Sequence, residues 1–273
     1  MSERDGYRIG VPCWVAAVLP DPERAVAFYT ELFGWEARET MGAGSPGKSF
    51  ICTLRGRDVA AIGSERDGDA PSVPAWRTYM WVESADNTVA RVRRAGGSVV
   101  MEPFDLLDAA RAAVVSDAAG AEFGVWQPGE HKGAGIVNEP GAWSMSQLNT
   151  HDPDGSKAFY GAVFGWVTDT FDTGEGEVTM WRLPGYVGGE PEQPVSREVV
   201  AVMAPMTGDR SPDVPPHWSI DFWVYDVDAT ADRAAKLGGR IVTPPFQTSV
   251  GTTAVLADPQ GAEFSVSKVG PGA

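Results

Sequence analysis

The segment Ala27-Phe28-Tyr29-Thr30-Glu31-Leu32-Phe33-Gly34-Trp35 returns as Ala158-Phe159-Tyr160-Gly161-Ala162-Val163-Phe164-Gly165-Trp166. Two further landmarks repeat in the same order. Ala95-Gly96-Gly97 followed by Pro103-Phe104 matches Leu237-Gly238-Gly239 followed by Pro245-Phe246, and Asp117-Ala118-Ala119-Gly120-Ala121-Glu122-Phe123 matches Asp258-Pro259-Gln260-Gly261-Ala262-Glu263-Phe264. A chain with the same landmarks twice is a tandem duplication, and both copies must build the same unit. The units span 10–128 and 141–269. Residues 129–140, with Gly129, Gly133, Gly135 and Pro140, have the composition of a linker. A length of 273 residues fits two domains of roughly 150 each.

Each unit gives the same local reading. An apolar stretch, Trp14 to Leu19 or Met145 to Asn149, runs into Asp21-Pro22 or Asp152-Pro153. Asp as N-cap with Pro at the first helical position starts a helix. Ala25, Phe28, Tyr29, Leu32 and Phe33 then recur at helical spacing, and Gly34 suits the C-cap. Strands follow, including Thr78 to Glu83, then a second helix from Asp86 to Ala95 closed by Gly96-Gly97, and a last strand over Glu122 to Trp126. The pattern is α+β, with short strands able to form two curved sheets around cavities.

Composition excludes several classes. The formal charge is −15, from 37 acidic and 22 basic residues, with no Lys/Arg cluster, so no nucleic-acid partner is expected. No run approaches ~18 uninterrupted apolar residues, so no membrane span is expected. The charged start Met1-Ser2-Glu3-Arg4-Asp5 lacks a signal-peptide apolar run, and the expected address is cytoplasmic. Cys13 and Cys52 lie in strand-like segments without metal or redox spacing and read as core thiols. The Gly-rich stretches Met41 to Gly47, Pro184 to Gly189 and Pro205 to Pro216 carry no phosphate-binding fingerprint and read as flaps over the cavities.

The order of these landmarks resembles the vicinal oxygen chelate superfamily, which includes glyoxalase I, extradiol dioxygenases and bleomycin-resistance proteins. The likeness covers nearly the whole chain, twice. It extends to tandem two-domain actinobacterial members, among them accessory proteins of anthracycline biosynthesis. The resemblance implies tandem domains of paired βαβββ units, each domain forming one cup-shaped sheet. In metal-using members a His opens the first strand, a second His opens the strand before the second helix, and a Glu sits in the last strand. Those places fall on Trp14, Arg77 and Gly124 in the first unit and on Met145, Ser219 and Ser265 in the second. None of the six is a competent ligand for a hard or borderline divalent cation. A shifted site from His217, Asp221 and Glu263 is a conceivable rescue, although Glu122 echoes Glu263 without such companions.

With neither metal nor cofactor expected, alternation along the strands selects the side chains that face the cups. In the first unit these are Trp14, Ala16, Arg77, Tyr79, Trp81, Gly124 and Trp126. In the second they are Met145, Gln147, Asn149, His217, Ser219, Asp221, Trp223 and Ser265. Tryptophan at former metal positions supplies π surface for a flat ligand, while glycine at position 124 opens room. Arg77 could meet a phenolate or carboxylate, and Asp221 a cationic amine. The expected function is binding or sequestration of a hydrophobic aromatic small molecule, with a resistance role or an accessory one in natural-product biosynthesis. The alternative is a glyoxalase-like lyase, isomerase or oxygenase-like enzyme using His217 and Asp221. The chain could act as a monomer or homodimer, and a biosynthetic enzyme partner is conceivable.

Overall fold

A computed structural model describes residues 3–41, 47–64, 73–172, 177–188, 197–206, 213–248 and 251–269. The first half runs β1 (Pro12–Val18), α1 (Pro22–Phe33), β2 (Glu36–Glu39), β3 (Ser49–Leu54) and β4 (Arg57–Gly63), then β5 (Ala75–Trp81), α2 (Ala85–Arg94), β6 (Ser98–Leu106), β7 (Ala110–Ser116) and β8 (Glu122–Pro128). The second half repeats it: β9 (Trp143–Thr150), α3 (Pro153–Phe164), β10 (Val167–Asp172), β11 (Glu177–Arg182) and β12 (Val199–Pro205), then β13 (His217–Trp223), α4 (Val227–Lys236), β14 (Arg240–Thr248), β15 (Gly251–Ala257) and β16 (Glu263–Val269). Each half is two βαβββ modules joined into one open eight-stranded sheet. The strand orders are β2-β3-β4-β1-β5-β8-β7-β6 and β10-β11-β12-β9-β13-β16-β15-β14. The two modules of a half meet where β1 pairs antiparallel with β5 and β9 with β13.

The expected helix signals operate as read. Asp21 accepts from the Arg24 amide at 3.0 Å, Pro22 occupies the first turn, and Gly34 ends α1 with φ 74° in the left-handed region. Asp152, Pro153 and Gly165 do the same for α3. The second helix starts earlier than Asp86, because Ser84 takes the cap by accepting from the Asn87 amide.

The repeated landmarks join the two halves. Tyr29 on α1 accepts from Trp76 Nε1 at 2.9 Å and donates to Asp258 Oδ2 of the other half at 3.2 Å. Reciprocally, Tyr160 on α3 accepts from Trp218 Nε1 at 2.9 Å and donates to Asp117 Oδ2 at 3.1 Å. Both phenols are buried, which pushes their pKa well above the ordinary tyrosine value and keeps them donors. Phe33 packs on Phe222 with centroids 4.8 Å apart, and Tyr160 on Phe123 at 5.7 Å. The glycines of the second landmark make room for this contact. A Cβ on Gly97 would stand 2.4 Å from the Ser116 carbonyl oxygen and 2.8 Å from Phe159 Cε2, and one on Gly239 would stand 2.7 Å from the Ala257 carbonyl oxygen and 3.1 Å from Phe28 Cε2. Trp35 and Trp166 bond the Gly141 and Gly10 carbonyls, again across the halves.

Residues 129–140 are packed, despite their linker-like composition. Ala134 and Ile136 are each 1% exposed. The Ala134 amide donates to the Cys13 carbonyl at 2.8 Å, and the Gly135 amide to the Asp58 carbonyl at 2.7 Å. Cys13 and Cys52 are buried and free, as the sequence suggests. Among the described residues no helix is long and apolar enough to cross a membrane. Of the segments expected to act as flaps, 42–46, 189 and 207–212 lie outside the described residues.

Candidate functional site

Strand alternation divides each sheet cleanly. On β5, Trp76, Thr78 and Met80 are buried towards the helices and the other half, while Arg77, Tyr79 and Trp81 occupy the opposite face and are only partly covered. Register places Trp14 beside Tyr79, Ala16 beside Arg77, and Gly124 beside Tyr79 on that same face. The second sheet repeats this on β13: Ser219 lies opposite Gln147, and Asp221 lies opposite Met145 on one side and Ser265 on the other. The two faces predicted to line cups are therefore assembled. Their contents differ.

The tryptophans Trp14 and Trp126 of the first cup are covered by its own chain. Trp14 is 1% exposed and Trp126 6%. The His131 ring sits edge-on to Trp14 at 4.5 Å and to Trp126 at 5.3 Å, and its carbonyl accepts from Trp126 Nε1 at 3.3 Å. His131 Nδ1 accepts from the Gly133 amide, which leaves the proton on Nε2, 3.1 Å from Asp58 Oδ2 but off the line of a hydrogen bond. The room expected at Gly124 is taken as well. A Cβ there would come within 2.1 Å of Tyr79 Cδ1, so glycine lets the Tyr79 ring lie across the strand. Trp81 faces Tyr7 at 6.0 Å, and Tyr7 in turn donates to the Ala134 carbonyl. Arg77, expected to meet a ligand anion, is paired with Glu122 at 3.1 Å.

The floor of the second cup stays partly exposed. Met145, Gln147, Ser219, Asp221, Trp223 and Ser265 all keep some accessible surface. Gln147 Nε2 donates to Asn149 Oδ1 at 2.9 Å, and Asn149 Nδ2 to Ser219 Oγ at 3.0 Å, so the polar side chains are held in one network. Asp221 Oδ2 accepts from Ser144 Oγ at 2.6 Å and Ser267 Oγ at 2.5 Å. Burial pushes the Asp221 carboxyl up to about 6, against the two serine bonds, which pull it down. Ser267 could have been found by continuing the alternation from Ser265. Tyr7 and His131 carried no such signal, since they lie on segments outside the strands, and Ser144, although on β9, reaches Asp221 only where the β9–β13 register shifts.

The donor set does not suit the metal implied by the fold. Trp14, Arg77 and Gly124 offer no ligand atom for a divalent cation, and Met145, Ser219 and Ser265 offer a thioether and two neutral hydroxyls. The shifted set is not gathered. His217 is exposed at the start of β13, bonded to the Pro215 carbonyl, and four residues of extended strand, roughly 13 Å, separate it from Asp221. Glu263 is exposed and pairs with Arg240 at 3.8 Å. Among the described residues no three His, Cys, Asp or Glu side chains are grouped to hold a metal ion. The same spacing keeps His217 and Asp221 from acting as a contacting acid–base pair.

Fold and duplication together define a tandem glyoxalase-type protein. Residues 13–125 match the Glyoxalase/Bleomycin resistance protein/Dioxygenase superfamily, and residues 146–267 match the Glyoxalase-like domain. The chain belongs to this superfamily. It is 39% identical over 99% of both chains to glyoxylase-like CFP32 of Mycobacterium tuberculosis. It is 34% identical to the anthracycline biosynthesis protein DnrV of Streptomyces peucetius, covering 96% of this chain and 94% of that one. The fold is similar to the Mn(II)-bound glyoxalase of Novosphingobium aromaticivorans, with a TM-score of 0.59 and 17% identity over 95% of this chain and 82% of that one.

Proposed function

We propose that this protein binds a hydrophobic aromatic small molecule without a metal, and that the second cup is the chamber. The observation that carries this reading is the contrast between the two floors. Trp14 and Trp126 are covered by His131, whereas the Met145–Gln147–Ser219–Asp221–Trp223–Ser265 floor keeps accessible surface, with apolar and polar groups side by side. Reaching Trp14 requires His131 to move, whereas among the described residues no ring stacks on Trp223. Similarity to the anthracycline biosynthesis proteins supports an accessory or sequestering role toward a polycyclic product.

Tryptophan-fluorescence titration with anthraquinone, with and without EDTA, tests this reading. Saturable, EDTA-insensitive quenching at micromolar ligand is the expected result, reduced at least threefold in amplitude by Trp223→Phe. Quenching that appears only after addition of Mn²⁺ or Fe²⁺ overturns it. A second reading, turnover of the ligand in the same cup, is favoured by Asp221, whose carboxyl at about 6 can both hold and release a proton near neutral pH. It predicts product formation that Asp221→Asn abolishes.

A further inference from the structure

We propose that the second cup selects aromatic ligands that carry a protonated amine, with Asp221 as the counter-ion. This inference rests on the second cup being the ligand chamber. Asp221 stands at the centre of the floor, in register with Met145 and Ser265 on the flanking strands. Its Oδ2 is fixed by the hydroxyls of Ser144 and Ser267, so the carboxylate is oriented before any ligand arrives. Two neutral donors orient the charge but do not neutralise it. Among the described residues no Lys, Arg or His forms an ion pair with Asp221.

Among the described residues the surroundings supply no alternative partner. β9 and β15 carry no titratable side chain, and neither does β12. On β16 the titratable residues are Glu263, engaged by Arg240 at the sheet margin, and Lys268, which alternation turns to the other face. On β13 itself His217 is the other titratable group, exposed at the far end. A partly buried carboxylate without a cation is costly, and an ammonium on the ligand removes that cost while making a charge-assisted hydrogen bond. The first cup shows the contrast: where β13 has Asp221, the equivalent β5 position has Tyr79, and the charged group there, Arg77, is already paired with Glu122. The net charge of −15 adds long-range attraction for a cationic ligand.

The test compares 1-naphthylmethylammonium with its neutral counterpart 1-naphthalenemethanol by calorimetric titration of the full chain. At pH 7.5 the amine is expected to bind at least tenfold more tightly than the alcohol. That preference is expected to shrink as the pH falls below 6, because a protonated Asp221 has no charge to offer, and Asp221→Asn is expected to bind the two probes equally at pH 7.5. The pH series on the unaltered chain keeps the test decisive even where the variant is poorly folded. Equal binding of both probes at pH 7.5 overturns the amine selection and leaves the aromatic chamber standing. A preference that does not shrink between pH 7.5 and pH 5 also overturns it, because the selecting charge then is not that of Asp221. Failure of both probes to bind overturns the chamber and this inference together.

Discussion

Asp221 leaves a signature in stability that is separate from any ligand. Its carboxyl at about 6 lies above the ordinary aspartate value near 3.9, so the folded state holds the proton more tightly than the unfolded one. Stability is therefore highest below about pH 4 from this group and falls as pH rises through about 6. Asp221→Asn should flatten that slope in urea melts across pH 4 to 7 and stabilise the protein at pH 7.5 by up to about 3 kcal/mol. An unchanged slope would place the charged carboxylate in better-solvated surroundings. Trp14 behaves in the opposite way. It is 1% exposed beneath His131, so Trp14→Ala should cost about 3–5 kcal/mol and lower Tm markedly. A near-native Tm would show that the first cup tolerates an emptied floor.

The helices α1 and α3 were legible because each carries its own punctuation: Asp-Pro at the start, glycine at the end, and an aromatic stripe at helical spacing between. What the stripe packs against was not legible, since a repeat is naturally read within its own unit. Tyr29 and Tyr160 instead find their carboxylate in the other half, and Gly97 and Gly239 leave no room for a side chain between a carbonyl of their own half, Ser116 or Ala257, and a phenylalanine across the boundary. Each relay is a buried chain of Trp, Tyr and Asp, so breaking it leaves an orphaned polar atom. Tyr160→Phe should cost about 2–3 kcal/mol by leaving Trp218 Nε1 and Asp117 Oδ2 with a partner fewer. Tyr29→Phe should cost a similar amount through Trp76 and Asp258, and chemical denaturation of both variants measures the two losses. The faces of β5 and β13 were also readable, as period-two alternation fixes them. The covering of the first face was not, because Gly and Pro in residues 129–140 suggest solvent, while burial there depends on the Cys13 carbonyl of β1 and the Asp58 carbonyl of β4 accepting from the segment's amides.

The halves depend on each other for core as well as for hydrogen bonds: one buried cluster joins Phe28, Tyr29 and Phe33 to Phe222, Phe264 and Val266, and another joins Val89, Phe123 and Val125 to Phe159, Tyr160 and Val163. Fragments 1–128 and 129–273, produced separately, should each lack a cooperative monomeric melt, and mixing them should restore one. Circular dichroism melts with light scattering decide this, and a cooperative monomeric melt from either fragment alone would show the halves to be autonomous. Reciprocity also governs what recombination between related genes can exchange. A crossover near residue 141 transfers the second cup with its serines and carboxylate, but the donor must bring an aspartate that meets the recipient's Tyr29 and a glycine that admits its Phe28. A crossover before residue 129 would in addition strip the first half of His131 and leave its tryptophans uncovered. The unit that keeps its core and its buried hydrogen bonds through such an exchange is thus the matched pair of halves.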